Sequence, residues 1–221
     1  MSDTPTTASP EAQADAPAQQ AQQAQQPPKA QKARVDVRPV LERLFQLHPK
    51  LFGARFLPLK LGVFEDLMAR HPEGFRKEEL KAALGAHARS TRYLEAVASG
   101  AKRHDLDGNP VGEVAPEHVH HAIMEVFRRR QARSPDARSW LQVRLVRAIE
   151  ASGLSREAYL ELVRASDETA LEALNEAFAE IGSRVARREA LRRAYAASGQ
   201  SVEAFAEMYG MKPGEVRKLL A

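Results

Sequence analysis

The chain has 221 residues, 43% of them apolar, and its 33 lysines and arginines against 29 acidic residues permit binding to a polyanion without demonstrating it. The absence of cysteine excludes disulfides, thiolate zinc sites and cysteine nucleophiles. No apolar run reaches the ~18 residues of a membrane span and the start lacks a secretory pattern, so we expect a cytoplasmic protein outside the membrane.

Residues 1–33 are rich in alanine, glutamine and proline and contain no aromatic residue. Such a segment cannot bury enough apolar surface to offset the entropy lost on folding. We therefore predict a disordered tail over residues 1–33, a compact domain over residues 34–133, and a second helical domain over residues 134–221.

Apolar residues at helical spacing predict four helices in the first part of residues 34–133. The predicted elements are a helix from Pro39 that Pro49 stops, a second over 59–69 with Leu61 and Leu67 on its buried face, a third over 76–84 that Gly85 ends, and a fourth that Ser90 begins.

A change of pattern follows at residues 101–114. The stretch Asp107-Gly108-Asn109-Pro110 is dense in turn-forming residues and lies between two short segments that can pair as strands. We predict a small β-hairpin here, followed by a helix from Pro116 to about residue 133. The fold class is therefore mainly α, with one small β-hairpin and a second small helical bundle after it.

The second half contains an internal repeat, in which residues 151–161 (ASGLSREAYLE) match residues 197–207 (ASGQSVEAFAE). In both copies the glycine can end one helix, the serine can cap the next, and the aromatic residue can face the core. We predict two related helical hairpins joined by a helix around residues 171–181.

The most specific motif joins RYL at residues 92–94 to GAKRHDLDGNP at residues 100–110. Together with PLKLGVFEDL at 58–67, LKAAL at 80–84, GEV at 112–114 and His118, it resembles the ProQ/FinO family of RNA chaperones. The resemblance covers about residues 37–133 and implies a FinO-like helical domain with a small hairpin. It also implies RNA partners, namely small RNAs and messenger 3′ ends whose terminator stem-loops carry a single-stranded 3′ tail.

Carried over residue by residue, the resemblance implies an RNA-binding face with a pocket that contains Tyr93. The basic residues that it carries over to this face are Lys60, Lys81, Arg92 and Arg103. To these we add Lys77 and Arg89 on adjacent turns, and Lys102 beside Arg103. From spacing alone, Tyr93 is equally compatible with the core, and Lys81 and Arg92 with a solvated helix face.

Other chemistry is weakly supported. Asp105 and Asp107 could hold magnesium, but their place in a turn favours hydrogen bonds to local backbone. His118 and His121 share a helix face without a third ligand at suitable spacing, so we expect no metal. The chain has no nucleophile elbow, phosphate-binding glycine loop or zinc-protease helix, and we expect neither an enzyme nor a cofactor.

Two further segments leave their function open. The run Arg128-Arg129-Arg130 fits either the negative end of a helix dipole or contacts to phosphate. Ala206, Gly210 and Val216 have the spacing of a helix-turn-helix, so residues 201–220 fit either a DNA-binding regulator or a plain helical hairpin. A third alternative is a protein-interaction module, with a protein partner or self-association through residues 134–221.

Overall fold

The computed structural model describes residues 36–165 and 167–220, so the predicted tail lies outside the described residues. The elements are α1 (Arg38–Leu47), α2 (Pro49–Phe52), α3 (Val63–Arg70), α4 (Lys77–Ala88), α5 (Thr91–Ala98), β1 (Arg103–His104), β2 (Pro110–Gly112), α6 (Pro116–Arg130), α7 (Ala137–Ser152), α8 (Arg156–Val163), α9 (Glu168–Ser198), α10 (Val202–Met208) and α11 (Pro213–Leu220). The mainly helical class with one small hairpin is confirmed. None of these helices is both long and apolar enough to cross a membrane.

Proline has two roles at the end of α1. As predicted, the helix stops before Pro49, and the N–H of His48 donates to the Leu44 carbonyl at 2.8 Å. Pro49 also opens the short helix α2, which the sequence did not predict. The ring is compatible with a first helical turn because the N–H that proline lacks has no partner there.

The second predicted helix starts later than expected. It begins at Val63 and not at residue 59, because residues 58–60 are extended and pair with His104 of the hairpin. Leu61, predicted on the buried face, is consequently 72% exposed. Leu67, which lies inside α3, is fully buried as expected.

The third predicted helix ends later than expected, since α4 runs through Gly85 to Ala88. A glycine inside a helix costs about 1 kcal/mol relative to alanine but does not have to end it. A Cβ at Gly85 would lie 3.3 Å from a guanidinium nitrogen of Arg89, so the missing side chain leaves room for that group. Ser90 then caps α5 as predicted, with its Oγ accepting the N–H of Tyr93 at 3.2 Å.

The predicted hairpin is present as the antiparallel pair β1 and β2. In its turn, Asp105 Oδ1 accepts the N–H of Asp107 at 3.0 Å and the N–H of Asn109 at 2.9 Å. These bonds stabilise the ionised carboxylate, and the one from the Asn109 backbone contributes most to lowering the pKa of Asp105. The carboxylate therefore shapes the turn, as its position in the sequence indicated.

Three apolar clusters hold the described residues together. The N-terminal core joins α1 to α4 and Leu106, the central core joins α5 to α9, and the C-terminal core joins α10, α11 and the end of α9. The half-buried ring of Tyr93 packs against both the N-terminal and the central core. This tyrosine therefore sits where the two larger clusters meet.

The central core crosses the predicted boundary between residues 133 and 134. Helix α6 contributes Ile123 and Val126, α7 contributes Leu141 and Leu145, and all four are fully buried in the same cluster. Helix α6 ends at Arg130, three residues before its predicted end. The division of the chain into two domains at this point stays a prediction.

The internal repeat appears as matching local geometry. Gly153 ends α7 at φ 64° and Gly199 ends α9 at φ 61°, a left-handed conformation that favours glycine. Ser155 caps α8 and Ser201 caps α10, each accepting a backbone N–H at 3.2 Å. The joining helix α9 has 31 residues and is much longer than the predicted 171–181.

Candidate nucleic-acid interface

An extended segment of three residues forms the base of the candidate site. The N–H of His104 donates to the Pro58 carbonyl and the N–H of Lys60 donates to the His104 carbonyl, both at 2.8 Å. Leu59 lies between these bonds and pairs with His104 in parallel orientation. The hairpin therefore fixes the backbone of residues 58–60 beside helix α5.

Tyr93 reaches this segment from α5. Its phenolic oxygen accepts the N–H of Leu59 at 3.1 Å. A phenol can accept one hydrogen bond and still donate its own proton. In residues 36–165 and 167–220, no acceptor takes that proton. The ring is thus part of the core while the hydroxyl keeps one unused donor.

The side chain of Arg103 also contacts Leu59, and the side chain of Lys60 contacts α3. Arg103 Nη1 donates to the Leu59 carbonyl at 2.9 Å. Lys60 Nζ lies 2.8 Å from Asp66 Oδ2, which holds the ammonium group at the start of α3. The structure therefore brings two of the predicted residues, Tyr93 and Arg103, together at the Leu59 backbone, and Lys60 is the next residue in the chain.

Arg92 is also held by a backbone carbonyl, at a different place. Its Nη2 donates to the Ala54 carbonyl at 3.0 Å, and its guanidinium carbon lies 4.9 Å from the centroid of the Phe56 ring. The side chain is exposed. The bond and the ring fix the orientation of the guanidinium while its other N–H groups face solvent.

The remaining predicted residues lie outside this meeting point. Lys77 and Lys81 are one helical turn apart on the exposed side of α4, and Arg89 follows the end of that helix. No ion pair involves these three residues in the described part of the chain. Lys102 lies on the hairpin and pairs with Glu113 at 3.0 Å.

His87 is a member of the site that the sequence did not reveal. Its ring is 3% exposed, and its centroid lies 4.7 Å from Phe52, 4.4 Å from Phe56 and 5.0 Å from Tyr93. Burial lowers the pKa of His87 to about 4, so the ring is neutral at physiological pH. It supports Tyr93 and Phe56 by packing. No local spacing signals this cluster, because its members are distant in sequence.

The arginine run at the end of α6 is bonded within the protein. Arg129 Nη1 donates to the Arg89 carbonyl at 2.9 Å and to Thr91 Oγ1 at 3.0 Å, which ties α6 to the turn between α4 and α5. Arg128 pairs with Glu125 at 2.7 Å and with Asp167 at 3.1 Å. These contacts favour a structural role for Arg128 and Arg129.

Asp107, considered above as a metal ligand, and His120, which lies between the two histidines considered, make other contacts. Asp107 forms two hydrogen bonds with the guanidinium of Arg70, at 2.7 and 3.0 Å, and that bond lowers the pKa of Asp107. His120 is buried near Tyr159, and burial lowers its pKa to about 4. Within the described ranges, no three histidine, aspartate or glutamate side chains are grouped so that they could hold a metal ion.

Comparison with protein families matches residues 34–139 to the ProQ/FINO family. The chain is similar to the RNA chaperone ProQ of Shewanella frigidimarina, with 41% identity over 93 residues that cover 40% of this chain and 46% of that protein. It is similar to the RNA chaperone ProQ of Aliivibrio salmonicida, with 42% identity over 87 residues that cover 38% of this chain and 41% of that protein. The chain thus spans less than half the length of these relatives.

Two solved structures are similar to part of this chain. A FinO-like RNA chaperone from Neisseria meningitidis MC58 is 34% identical, with a TM-score of 0.36, and the match covers 39% of this chain and 88% of that one. A ProQ homolog from Legionella pneumophila is 28% identical, with a TM-score of 0.34, and the match covers 48% of this chain and 89% of that one.

Proposed function

The chain belongs to the ProQ/FINO family through residues 34–139, and from this premise we propose that it is an RNA chaperone and post-transcriptional regulator. Its partners are small RNAs and messenger 3′ ends in the cytoplasm, bound at a stem-loop followed by a single-stranded 3′ tail. The observation that carries this proposal is the convergence of Tyr93 and Arg103 on the Leu59 backbone, next to Lys60 in the chain.

The chemistry of an RNA terminus matches the groups at this point. A 3′ end offers ribose hydroxyls, a phosphate and unstacked bases, which single-strand-binding proteins recognise by hydrogen bonds and stacking. The unused proton of the Tyr93 hydroxyl can be donated to a ribose or phosphate oxygen. Arg103 supplies positive charge at the same residue, Leu59, whose carbonyl keeps the guanidinium in place. Lys60, held by Asp66, adds a charge at the next residue of the chain.

The stem is assigned to the basic residues that surround this point. An RNA duplex is recognised through its shape, its phosphates and its 2′-hydroxyls, because side chains cannot read its deep major groove. Lys77, Lys81 and Arg89 along α4, with Arg92 at the start of α5, are exposed and suited to phosphate contacts. Lys102 on the hairpin extends this face.

Chaperone activity then follows from electrostatics and needs no covalent step. Phosphates neutralised by lysine and arginine repel a second strand less strongly, so the bound RNA pairs more readily with a complementary partner. Release of counterions also makes the affinity fall with added salt. A protein that holds the 3′ terminus in addition shields it from nucleases that begin at that end.

A binding experiment tests this proposal. The affinity of the full chain for a hairpin with a single-stranded 3′ tail is measured by fluorescence anisotropy, for the native protein and for Lys81→Ala and Arg92→Ala. Each variant should bind about tenfold more weakly, since hydrogen bonds to charged groups contribute about 1.5–3 kcal/mol. The matched control is Arg193→Ala, which removes an equally exposed charge from α9 and should leave the affinity unchanged.

Equal effects of all three substitutions would contradict the proposed face, because only total charge would then matter. A protein that binds hairpins with and without the tail equally well would contradict the assignment of the terminus. The predicted protein partner or self-association through residues 134–221 stays a prediction. Light scattering of the full chain over a range of concentrations tests the self-association.

A further inference from the structure

The helix-turn-helix spacing at the C-terminal end corresponds to real helix-turn-helix geometry. Ala206 in α10 is 1% exposed and Val216 in α11 is fully buried, and both pack with Phe205. Gly210 forms the turn between these helices at φ 64°. The N–H of Met211 donates to the Ala206 carbonyl at 2.8 Å, which closes the turn. The three positions that the motif constrains are thus occupied as the motif requires.

The same geometry occurs 46 residues earlier in the chain. The residues that correspond to Ala206, Gly210 and Val216 are Leu160, Arg164 and Ala170. Arg164 has φ 46° and is the one non-glycine residue with positive φ in the described ranges, so the repeat imposes the turn even on a side chain that resists it. Ala170 is 3% exposed.

The repeat is therefore larger than its sequence match. The first repeat unit comprises residues 137–174 and the second comprises residues 183–220, each with three helices. Helix α9 serves both units, because its beginning is the third helix of the first unit and its end is the first helix of the second. The two three-helix units have different surroundings.

The first repeat unit is built into the rest of the protein. Tyr159, Ala170 and Leu174 lie in the central core together with residues of α6. Asp167, which caps α9, accepts a hydrogen bond from Arg128 of α6 at 3.1 Å. Arg128 of α6 thus contacts the residue that caps the third helix of this unit, whose outward side is exposed.

In the second repeat unit, the outward side of the third helix, α11, is exposed. Helix α11 packs chiefly against α9 and α10, and its buried residues Val216 and Leu219 face these helices. Lys212, Arg217 and Lys218 are exposed. The helix that enters DNA in a helix-turn-helix therefore presents basic side chains to solvent in this unit.

The two repeat units also differ in charge. The second repeat unit contains eight basic and four acidic residues, whereas the first contains five basic and six acidic residues. Around the third helix, residues 166–174 have three acidic and no basic side chains, and residues 212–220 have three basic side chains and one acidic. Phosphate is repelled by the first pattern and attracted by the second.

The acidic groups of the second unit are partly engaged. Glu215 accepts the N–H of Lys212 at 2.9 Å, and Glu203 pairs with Arg217 at 2.7 Å. Beside them, a groove of about 440 Å³ is lined by four basic and two acidic residues, namely Arg184, Arg187, Arg188, Lys218, Glu150 and Glu215. The basic surface therefore continues from α11 onto α9.

We propose that the second repeat unit binds duplex DNA, with α11 in the major groove and the arginines of α9 against the phosphate backbone. An α-helix fits the major groove of B-form DNA, which is about 12 Å wide. The major groove of A-form RNA is too narrow to admit one. This site is separate from the face around Tyr93 and does not depend on the function proposed for it.

The test uses the full chain and three probes, namely a mixed-sequence duplex DNA of about 20 base pairs, a duplex RNA of the same sequence, and the tailed RNA hairpin. Lys212→Glu/Lys218→Glu is compared with Arg144→Glu/Arg147→Glu, which makes the same change in charge on α7. Circular dichroism checks that both variants keep their helices. The first variant should bind duplex DNA at least about tenfold more weakly and the control less than about threefold more weakly.

The tailed hairpin should bind both variants about as well as the native protein, and duplex RNA should bind more weakly than duplex DNA. The proposal is overturned if the native protein does not bind the DNA, if both variants lose DNA binding equally, or if duplex RNA binds as tightly as DNA. None of these outcomes alters the result expected for the Tyr93 face.

Discussion

The basic residues of the two regions are held in different ways. Around Tyr93, the guanidinium groups of Arg92 and Arg103 are fixed by the backbone carbonyls of Ala54 and Leu59. In the second repeat unit, Lys212 and Lys218 stand on an open surface without such anchors in the described structure. Fixed cations can select a shape, because they lose little freedom on binding, whereas mobile cations respond mainly to charge.

The largest expected effect concerns Arg103. Arg103→Ala removes a cation and also the donor to the Leu59 carbonyl, so the affinity for a tailed hairpin should fall at least about tenfold. Lys218→Ala removes one charge from the second repeat unit and should change that affinity less than about threefold. Anisotropy titrations at one salt concentration measure both. Similar losses would mean that anchoring has no part in RNA binding.

Low pH should destabilise the part of the chain that contains the Tyr93 face more than it destabilises the second repeat unit. Burial lowers the pKa of His87 and of His120 to about 4, whereas an unfolded histidine has a pKa near 6.5. Between these values only the unfolded chain takes up the proton, so stability is complete above pH 6.5 and falls as the pH drops towards 4. Each histidine should account for about 3 kcal/mol.

Urea unfolding followed by circular dichroism at pH 7 and pH 4.5 measures this loss. All seven histidines lie between residues 48 and 121, so none is in either repeat unit. Hydrogen exchange at the two pH values, corrected for intrinsic rates, should show protection lost in α4 and α6 before α10 and α11. Equal free energies of unfolding at both pH values would contradict the role of burial.

A smaller effect separates the two repeat units. Ser155→Ala and Ser201→Ala each remove the acceptor of one backbone N–H, which costs about 1 kcal/mol at a helix start. The first should lower the stability of the central core, which contains Tyr159. The second should accelerate hydrogen exchange in α10 and α11 alone. Identical exchange patterns in the two variants would show that the units unfold as one.

The smallest effect is expected in the hairpin turn. The pair between Arg70 and Asp107 is exposed, so Asp107→Asn should leave the melting temperature within error. Asp105→Asn weakens the acceptor of two backbone N–H groups in the turn and should lower the melting temperature measurably. Thermal melts of the two variants compare them directly. A larger loss from Asp107→Asn would make the exposed pair the stabilising contact.

Local signals in the sequence predicted local structure correctly. Ser90 marks the start of α5, Gly153 and Gly199 end their helices, and the residues after Asp105 form the turn. Each of these features depends on hydrogen bonds within a few residues. Residues 59 and 60 were predicted as helix but are extended, because their partner, His104, is distant in the sequence.

The candidate site shows the same division. Helical spacing does not decide whether Tyr93 belongs to the core or to a binding site. In the structure its ring packs against the core and its hydroxyl accepts the N–H of Leu59. The resemblance supplied Lys60 and Arg103, and the bond between Arg103 and the Leu59 carbonyl is not predictable from spacing. His87 was missed because its contacts with Phe52 and Phe56 join segments that are separate in the chain. For Arg129 the sequence left two roles open, and its bond to the Arg89 carbonyl is not predictable from spacing.

The most direct test of the Tyr93 face combines one change in the protein with one in the RNA. The affinities of the native protein and of Tyr93→Phe are measured for a tailed hairpin that ends in a free 3′-hydroxyl or in a 3′-phosphate. The native protein should bind the two termini with affinities that differ about tenfold, whereas Tyr93→Phe should bind both more weakly and about equally, because the phenolic proton contacts the terminus. Equal effects of the phosphate on both proteins would contradict a role for Tyr93 in holding the RNA end.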